Sequence, residues 1–404
     1  MFVSRSRKAS FAGGFVRAFA GVVFGAALAA AGTSSAVAAD PVRARDLGVE
    51  FQGEPGKLNA ITDVKGVEVG HFTKIDPPGA GGARTGVTAI FPLGKDAPRE
   101  GVFASQFALN GVGELTGSHL INGTGLLFGP IALTGTTSLG TVYASTVEWL
   151  RRRHRDDVDA FLDQVLLTVG ETYDRLNDPS KEQLLAEDVF AALEGAKTGP
   201  VTEGNVGGGT PMKCFDFKCG AGTASRVVEI DGKRYTVGVF VQSNFGRREQ
   251  LMVSGVSVGR ELTDRMPTVV SSLPAQIDRT NVREGSIIVI IATDAPLLPK
   301  QLNEMAKRAS VGVARTGGTG DTGSGDIFLA FSTAHRHPSP AKGELKVKML
   351  GPYLITDLYR AVAYATEEAI INSLVAGETM ASAQGYTVYG IPHDRLQAIM
   401  ADVP

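Results

Sequence analysis

Residues 286–293 read Ser-Ile-Ile-Val-Ile-Ile-Ala-Thr. A short run that is apolar at nearly every position, instead of at every second one, reads as a strand buried inside the protein, so the fold has to enclose it. Gly285 stands immediately before the run and Ser286 opens it. A small hydroxyl residue behind a glycine at the head of such a strand has two readings. The plain one is a turn leading into a core strand. The other is a nucleophile made by self-cleavage: cutting the Gly285–Ser286 bond would place a new N-terminal amine on the residue that carries the attacking oxygen, so one residue supplies both nucleophile and base. Taken alone, the feature favours the turn. The second reading requires an oxyanion donor, a group that orients the amine, and a substrate pocket elsewhere in the chain.

The chain has 404 residues, and residues 1–39 read as a secretory leader. Arg5, Arg7 and Lys8 form a basic start, Phe19 to Ala31 is apolar and small, and Ala36-Val-Ala38 matches a small-residue cleavage pattern, which puts the cut before Asp40. The apolar run is short and alanine-rich for a membrane span. The expectation is an exported soluble protein, periplasmic or secreted, with no membrane partner. Losing the leader removes Arg5, Arg7, Lys8 and Arg17 from 40 basic residues set against 42 acidic ones, and the mildly acidic remainder argues against nucleic acid as a partner. The 50 glycines are spread through hydrophobic segments, which suggests tight turns and close backbone packing. Cys214 and Cys219 are the only cysteines. A local disulfide and two strand positions that never meet are both open readings, whereas zinc would need two further ligands nearby.

The pattern of elements suggests sheets layered with helices in one domain, without the regular βαβ beat of a doubly wound sheet. Short β-like runs lie at Val67-Glu-Val, Val87-Thr-Ala-Ile-Phe and Gly125-Leu-Leu-Phe. A helix is expected over about 144–168, capped by Ser145 or Thr146. A second is expected over Pro179–Leu193, capped by Asp178 or Ser180 and ended by Gly195. Residues 226–242 form a hairpin about Asp231-Gly232. After the 286–293 strand come a helix from Pro299 to about Ser310, a strand over 326–332, a polar loop over 335–343 and a helix over about 355–376.

Several residues could carry chemistry. Ser324 and Asp326, in Gly323-Ser-Gly-Asp326, could hydrogen-bond an amine; the plain reading is an Asx-type turn. Asn244, at a strand end, could aim its amide at a developing oxyanion, or sit in a turn before Gly246. Glu171 and Tyr173 fall on one side of an extended segment, where a carboxylate can hold a substrate ammonium and a phenol can donate to an oxyanion; a solvated acid and an edge tyrosine is the plainer account. The glycine loop Asn205-Val-Gly-Gly-Gly-Thr210 lacks the continuation of a P-loop. Gly255-Val-Ser-Val-Gly259 matches the string of a nucleophile elbow, but within a β-like run. Ser339-Pro-Ala-Lys342 and Lys197-Thr-Gly199 imitate penicillin-recognising motifs in inverted order. Of the six histidines, only His335-Arg-His337 has any ligand-like spacing, and it falls in the expected loop.

Together these residues resemble the family of DmpA-type L-aminopeptidase/D-esterases and BapA-type β-peptidyl aminopeptidases. The resemblance runs through Ile61-Thr-Asp-Val-Lys-Gly-Val-Glu-Val-Gly-His71, Gly204-Asn-Val-Gly-Gly-Gly-Thr210, Gln242-Ser-Asn-Phe-Gly246, the Glu284–Leu297 segment, Gly323-Ser-Gly-Asp-Ile-Phe-Leu-Ala-Phe-Ser332 and Pro392-His-Asp-Arg395. It implies a layered αββα sandwich of α+β class, one domain made of two chains (40–285 and 286–404) after cleavage between Gly285 and Ser286, and assembly as a homotetramer. It implies Ser286 as nucleophile, Asn244 as oxyanion donor, Ser324 and Asp326 beside the new amine, Glu171 as the ammonium site and Tyr173 as support for the tetrahedral intermediate. Asp326 stands where some members carry Glu, one methylene longer. The substrates implied are short peptides, amides or esters with a free amino group, and no cofactor or metal is implied. Two rival readings are a serine esterase of α/β-hydrolase type using Ser257, and an uncut periplasmic binding protein.

Overall fold

The structure, a computed structural model, describes residues 42–77, 80–153, 167–173, 175–180, 182–268, 285–338 and 343–402. The expected leader and its cleavage site lie outside these residues, as does Ser339-Pro-Ala-Lys342. In chain order the elements are β1 (Glu68–Ile75), β2 (Arg84–Phe91), β3 (Glu100–Ala108), α1 (Ser118–Thr124), β4 (Leu126–Leu127), β5 (Ile131–Gly135), α2 (Leu139–Arg153), β6 (Thr168–Thr172), α3 (Ala186–Glu194), β7 (Lys213–Cys214), β8 (Phe217–Lys218), β9 (Ala221–Ile230), β10 (Lys233–Asn244), α4 (Val258–Glu261), β11 (Gly285–Thr293), α5 (Pro299–Arg315), β12 (Ser324–Pro338), α6 (Thr356–Val375), β13 (Met380–Ala381), β14 (Thr387–Val388) and α7 (His393–Ala401).

Residues 286–293 form the buried strand β11, with different cover on its two faces. Ile287, Val289 and Ile291 pack in one apolar cluster with Met305 and Ala309 of α5 and Ile370 and Leu374 of α6. Ile288, Ile290 and Ala292 point the other way, into a cluster with Ile90, Ile131 and Leu133. Full burial of one such side chain is worth roughly 1.5–3 kcal/mol, so this strand alone ties two layers together. Its sheet has six strands in the order β4-β3-β12-β11-β10-β9; the facing sheet has four, β1-β2-β5-β6. A third cluster joins Val87, Ala89, Phe91 and Val169 of the four-stranded sheet to Trp149 and Leu150 of α2 and Val189 and Leu193 of α3. The layers therefore run helix, sheet, sheet, helix, as the αββα expectation requires.

The β9–β10 hairpin turns at Asp231 (φ 50°) and Gly232 (φ 72°), both left-handed, as a two-residue type I′ connection demands. Other boundaries differ from expectation. Helix α2 begins at Leu139, so Ser145 and Thr146 are buried inside it and cap nothing; Thr146 Oγ1 donates to the Val142 carbonyl one turn back. The expected end at 168 is also wrong, since Thr168 already belongs to β6, while the expected helical residues 154–166 lie outside the described set. Helix α3 begins at Ala186, seven residues later than expected. Asp178 accepts from the Ser180 amide in a local turn, and the Leu185 amide is capped by Asp188 instead. Gly195 does end that helix. Strand β12 runs on to Pro338 through a register shift between Ser332 and His337, replacing the first part of the expected loop. Cys214 and Cys219 are joined by a disulfide across the β7–β8 turn, with Cα atoms 5.6 Å apart.

Two buried polar features carry predictions. Glu368 of α6 sits 2.6 Å from Arg226 of β9 and 2.6 Å from Arg45, and it accepts from Asn59 Nδ2 at 2.6 Å, so one carboxylate pins the chain's early segment to the six-stranded layer. Removing one partner of a buried pair strands the other charge. Glu368→Leu is expected to lower unfolding stability by about 3–5 kcal/mol in urea, and the double variant Arg226→Met/Glu368→Leu to recover much of that loss. A double variant as unstable as the single one would show that the pairing is not the cause.

His71 of β1 lies with Nδ1 3.0 Å from Thr88 Oγ1, while its enclosed Nε2 has no partner among the described residues; burial pulls its pKa down to about 4. A depressed folded pKa means that the unfolded chain takes up a proton, from about pH 6.5 downward, that the folded chain refuses. The stabilising contribution is whole above pH 6.5 and is lost as pH falls towards 4, on the order of 3 kcal/mol in total. His71→Asn should therefore lose less stability than the parent between pH 6.5 and 4 in urea titrations; identical slopes would refute this.

Candidate active site

Three neighbouring strands bring distant residues to one level of the six-stranded sheet. The antiparallel register of β10 and β11 sets Asn244 opposite Ser286. The parallel register of β11 and β12 sets Gly285 opposite Ser324 and Ser286 opposite Gly325. Because β11 is interior to its sheet, the register is held from both sides.

Ser286 is 2 % exposed, and its Oγ donates to the Gly285 carbonyl at 2.6 Å. The hydroxyl thus lies beside the peptide bond that self-cleavage would break. A Cβ placed on Gly285 would lie 3.3 Å from both Ser324 Oγ and Phe245 Cβ, so Ser324 packs directly against the residue before the nucleophile. Ser324 Oγ donates to Asp326 Oδ1 at 2.5 Å. Burial raises the Asp326 pKa, held back by the Ser324 hydrogen bond and raised further by the Asp321 charge. A buried carboxylate joined to a hydroxyl can take or relay a proton.

Asn244 Oδ1 accepts from the Lys213 amide at 3.0 Å, and its Nδ2 donates to the Tyr173 carbonyl. These two bonds decide which end of the side chain is NH₂, and the second hydrogen of that group has no acceptor among the described residues. An uncommitted N–H opposite a serine hydroxyl is the element an oxyanion site needs.

The four-stranded sheet supplies the opposite wall. Gly170 of β6 lets the sheets close, since a Cβ there would lie 2.5 Å from Ile288 Cδ1. The next residue, Glu171, is 7 % exposed; Oε1 accepts from the Glu114 amide at 3.0 Å and Oε2 from Thr136 Oγ1. Burial raises its pKa, the two hydrogen bonds oppose that rise, and the Glu114 charge adds to it. Tyr173 follows β6, with its side chain 46 % exposed and its carbonyl against Asn244.

The structure thus sets Asn244 opposite Ser286, packs Ser324, hydrogen-bonded to Asp326, against Gly285, and joins Tyr173 to Asn244 through its carbonyl. Glu171 reaches these residues through a segment that sequence reasoning missed, 109–116, which passes over Gly325. Its signal was the close pair Gly111 and Gly113. Ser257 lies elsewhere in character: it follows a tight Val253–Val256 turn with Gly255 at φ 86° and precedes the short helix α4, with no strand leading into it as an elbow requires. Gly207, Gly208 and Gly209 are packed inside the sandwich, where a Cβ on Gly208 would lie 2.1 Å from Gln242 Oε1; they form a tight packing loop. Lys197 bridges Val69 through the backbone. His335 accepts from the Lys348 amide at 3.0 Å through Nε2.

This arrangement fits a hydrolase built on two facing sheets, with a buried serine at the head of a central strand. The model of peptidase family S58 matches residues 59–388, and the chain belongs to that family. It is 49% identical over 373 residues to the β-peptidyl aminopeptidase BapA of Sphingosinicella xenopeptidilytica, covering 89% of this chain and 90% of that one. Among solved structures it resembles the L-aminopeptidase D-Ala-esterase/amidase of Ochrobactrum anthropi, described as a prototype for the serine aminopeptidases and a variant of the Ntn-hydrolase fold (TM-score 0.80, 40% identity, 89% of this chain and 98% of that one). It also resembles a Burkholderia sp. β-aminopeptidase (TM-score 0.78, 43% identity, 90% and 99%). The chain is an aminopeptidase-type hydrolase.

Proposed function

We propose that this enzyme cuts its own Gly285–Ser286 bond and then uses Ser286 to release the N-terminal residue from short peptides, amides or esters that carry a free amino group. The observation that carries this reading is the register that sets Asn244 opposite Ser286 and Ser324 opposite Gly285 across three adjacent strands, with Ser286 Oγ 2.6 Å from the Gly285 carbonyl oxygen. In self-cleavage Oγ attacks the Gly285 carbonyl carbon, the C–N bond breaks, the acyl group passes to oxygen, and water hydrolyses the ester. Two chains result, 40–285 and 286–404.

The freed amine has a pKa near ~7.7–8.0 and is partly neutral at physiological pH. It takes the Oγ proton as Oγ attacks the substrate carbonyl, and passes it to the leaving nitrogen or oxygen as the scissile bond breaks; water then hydrolyses the acyl-enzyme with the same amine as base. Ser324 and Asp326 orient that amine, Asn244 and the Tyr173 phenol hold the oxyanion, and Glu171 pairs with the substrate ammonium, which confines cleavage to the first residue. The relatives' names include both β-peptidyl and L-amino substrates, and both backbone classes belong among the candidates here.

The reading also places the mature protein outside the cytoplasm as a homotetramer. Residues 1–39 and the Cys214–Cys219 disulfide support export. Exposed Leu345, Val347 and Met349, alternating with charged residues, supply an apolar edge for subunit contact. Denaturing electrophoresis with intact-mass measurement tests the central claim: two chains splitting at 285/286 and turnover of aminoacyl p-nitroanilides are expected. A single uncut chain without turnover would favour a binding protein on the same fold.

A further inference from the structure

We propose that the segment 109–116 is a spacer that fixes the distance between Glu171 and Ser286, and that Gly113 within it sets the enzyme's choice between α- and β-aminoacyl substrates; this rests on the roles proposed above for those two residues. The segment leaves β3 of the six-stranded sheet and ends along β6 of the four-stranded one. On the nucleophile side, the Leu109 amide donates to the Asp326 carbonyl at 2.9 Å and the Val112 amide to the Ser324 carbonyl at 3.3 Å. On the anchor side, the Glu171 amide donates to the Glu114 carbonyl at 3.1 Å, Leu115 bridges Gly170, and the Glu114 amide holds Glu171 Oε1 at 3.0 Å. With Thr136 on Oε2, both carboxylate oxygens are tied. Glu171 therefore has little freedom to swing towards a substrate of a different length.

The two sides close where Gly113 meets Gly325, the register partner of Ser286. A Cβ on Gly325 would lie 2.3 Å from the Val112 carbonyl oxygen and 2.8 Å from Gly113 Cα. A Cβ on Gly113 would lie 3.1 Å from Gly325 Cα and 3.6 Å from Glu171 Oε1. The backbone at 113 is outside the left-handed region, so alanine is conformationally acceptable there. One added methyl acts as a shim of a few tenths of an ångström between anchor and nucleophile. A β-aminoacyl group carries one more backbone carbon between its ammonium and its carbonyl, about 1.5 Å of bond length. A site with a fixed spacing cannot present both carbonyls equally well, and a misplacement of about 1 Å costs on the order of 10²-fold in rate.

The test compares L-alanyl and β-homoalanyl p-nitroanilides, which differ by that one carbon, on self-cleaved enzyme. Gly113→Ala should raise the β-to-α ratio of kcat/KM by about tenfold, in the direction of the wider spacing. A ratio unchanged within twofold, or one moved towards the α substrate, overturns the spacer. If Gly113→Ala stays uncut by mass, Thr136→Val supplies the test by freeing one oxygen of Glu171: the ratio should move towards one, and an unchanged ratio overturns the proposal. A parent enzyme that turns over neither substrate would instead remove the functional reading beneath it.

Discussion

Ser286→Ala is expected to purify as one uncut chain with aminoacyl-amide turnover at least ~10³-fold below the parent. The substitution removes one oxygen, and in the proposed mechanism that oxygen has two successive tasks. In the precursor it attacks the carbonyl of Gly285, whose oxygen lies 2.6 Å from it. In the mature enzyme it attacks the substrate while the amine released by the first event accepts its proton. Alanine abolishes both, so the two losses must appear together. Folding offers no competing explanation, because Ser286 is buried in a strand paired on both sides and the change removes one local hydrogen bond, worth about 1 kcal/mol. Ser286→Cys separates the tasks further. A thiol also undergoes the acyl shift, so the cysteine variant should still split at 285/286, with altered turnover. A Ser286→Ala chain that still splits there, or an uncut one that hydrolyses aminoacyl amides at the parent's rate, would end the self-cleaved-nucleophile account.

The core strand and its hairpin neighbour were legible in the sequence for local reasons. An unbroken apolar run such as 287–292 has no exposed face, and Asp231-Gly232 carries the left-handed geometry its turn needs. Helix starts were less legible because tertiary partners chose them. Thr146 looked like a cap, but inside α2 its hydroxyl donates to Val142 one turn back. Glu182 falls within the expected helix over Pro179–Leu193, yet its carboxylate is taken by Ser138, Thr141 and the amides of 183 and 184, which keeps that stretch out of α3.

The candidate site divides in the same way. Asn244, Ser286, Ser324 and Asp326 stood out because each sits at or near a strand end beside a glycine or a turn, and the family resemblance linked them. What holds Glu171 did not stand out. Its two donors, the Glu114 amide and the Thr136 hydroxyl, lie 57 and 35 residues away in sequence, and one of them is a backbone group that any residue type provides. The same reason hid the 109–116 segment, whose contacts to β12 and β6 are made almost entirely by main-chain atoms.

Asn244→Ala is expected to lower kcat by about 10²–10³-fold, the usual consequence of deleting one oxyanion donor, with KM changed far less. The split follows from geometry. Asn244 faces Ser286 across the β10–β11 pair, while Glu171, the proposed ammonium site, lies on the other sheet, so in that reading ground-state binding keeps its main anchor. The variant also frees the Lys213 amide and the Tyr173 carbonyl, which both lean on the Asn244 amide, and a modest stability loss of about 1–2 kcal/mol should accompany the kinetic one. Asn244→Asp distinguishes the two effects. Its carboxylate still accepts from the Lys213 amide, so more of the fold's support survives, but a negative charge now faces the developing oxyanion. Its kcat should fall at least as far as that of the alanine variant despite the better stability. If Asn244→Asp instead recovers turnover along with stability, Asn244 acts by holding Tyr173 and β7 in place, and the oxyanion is held by other groups. The proposed self-cleavage passes through a tetrahedral intermediate formed by the same serine at the Gly285 carbonyl carbon, so both variants should also accumulate uncut precursor, resolved over hours by intact-mass spectrometry.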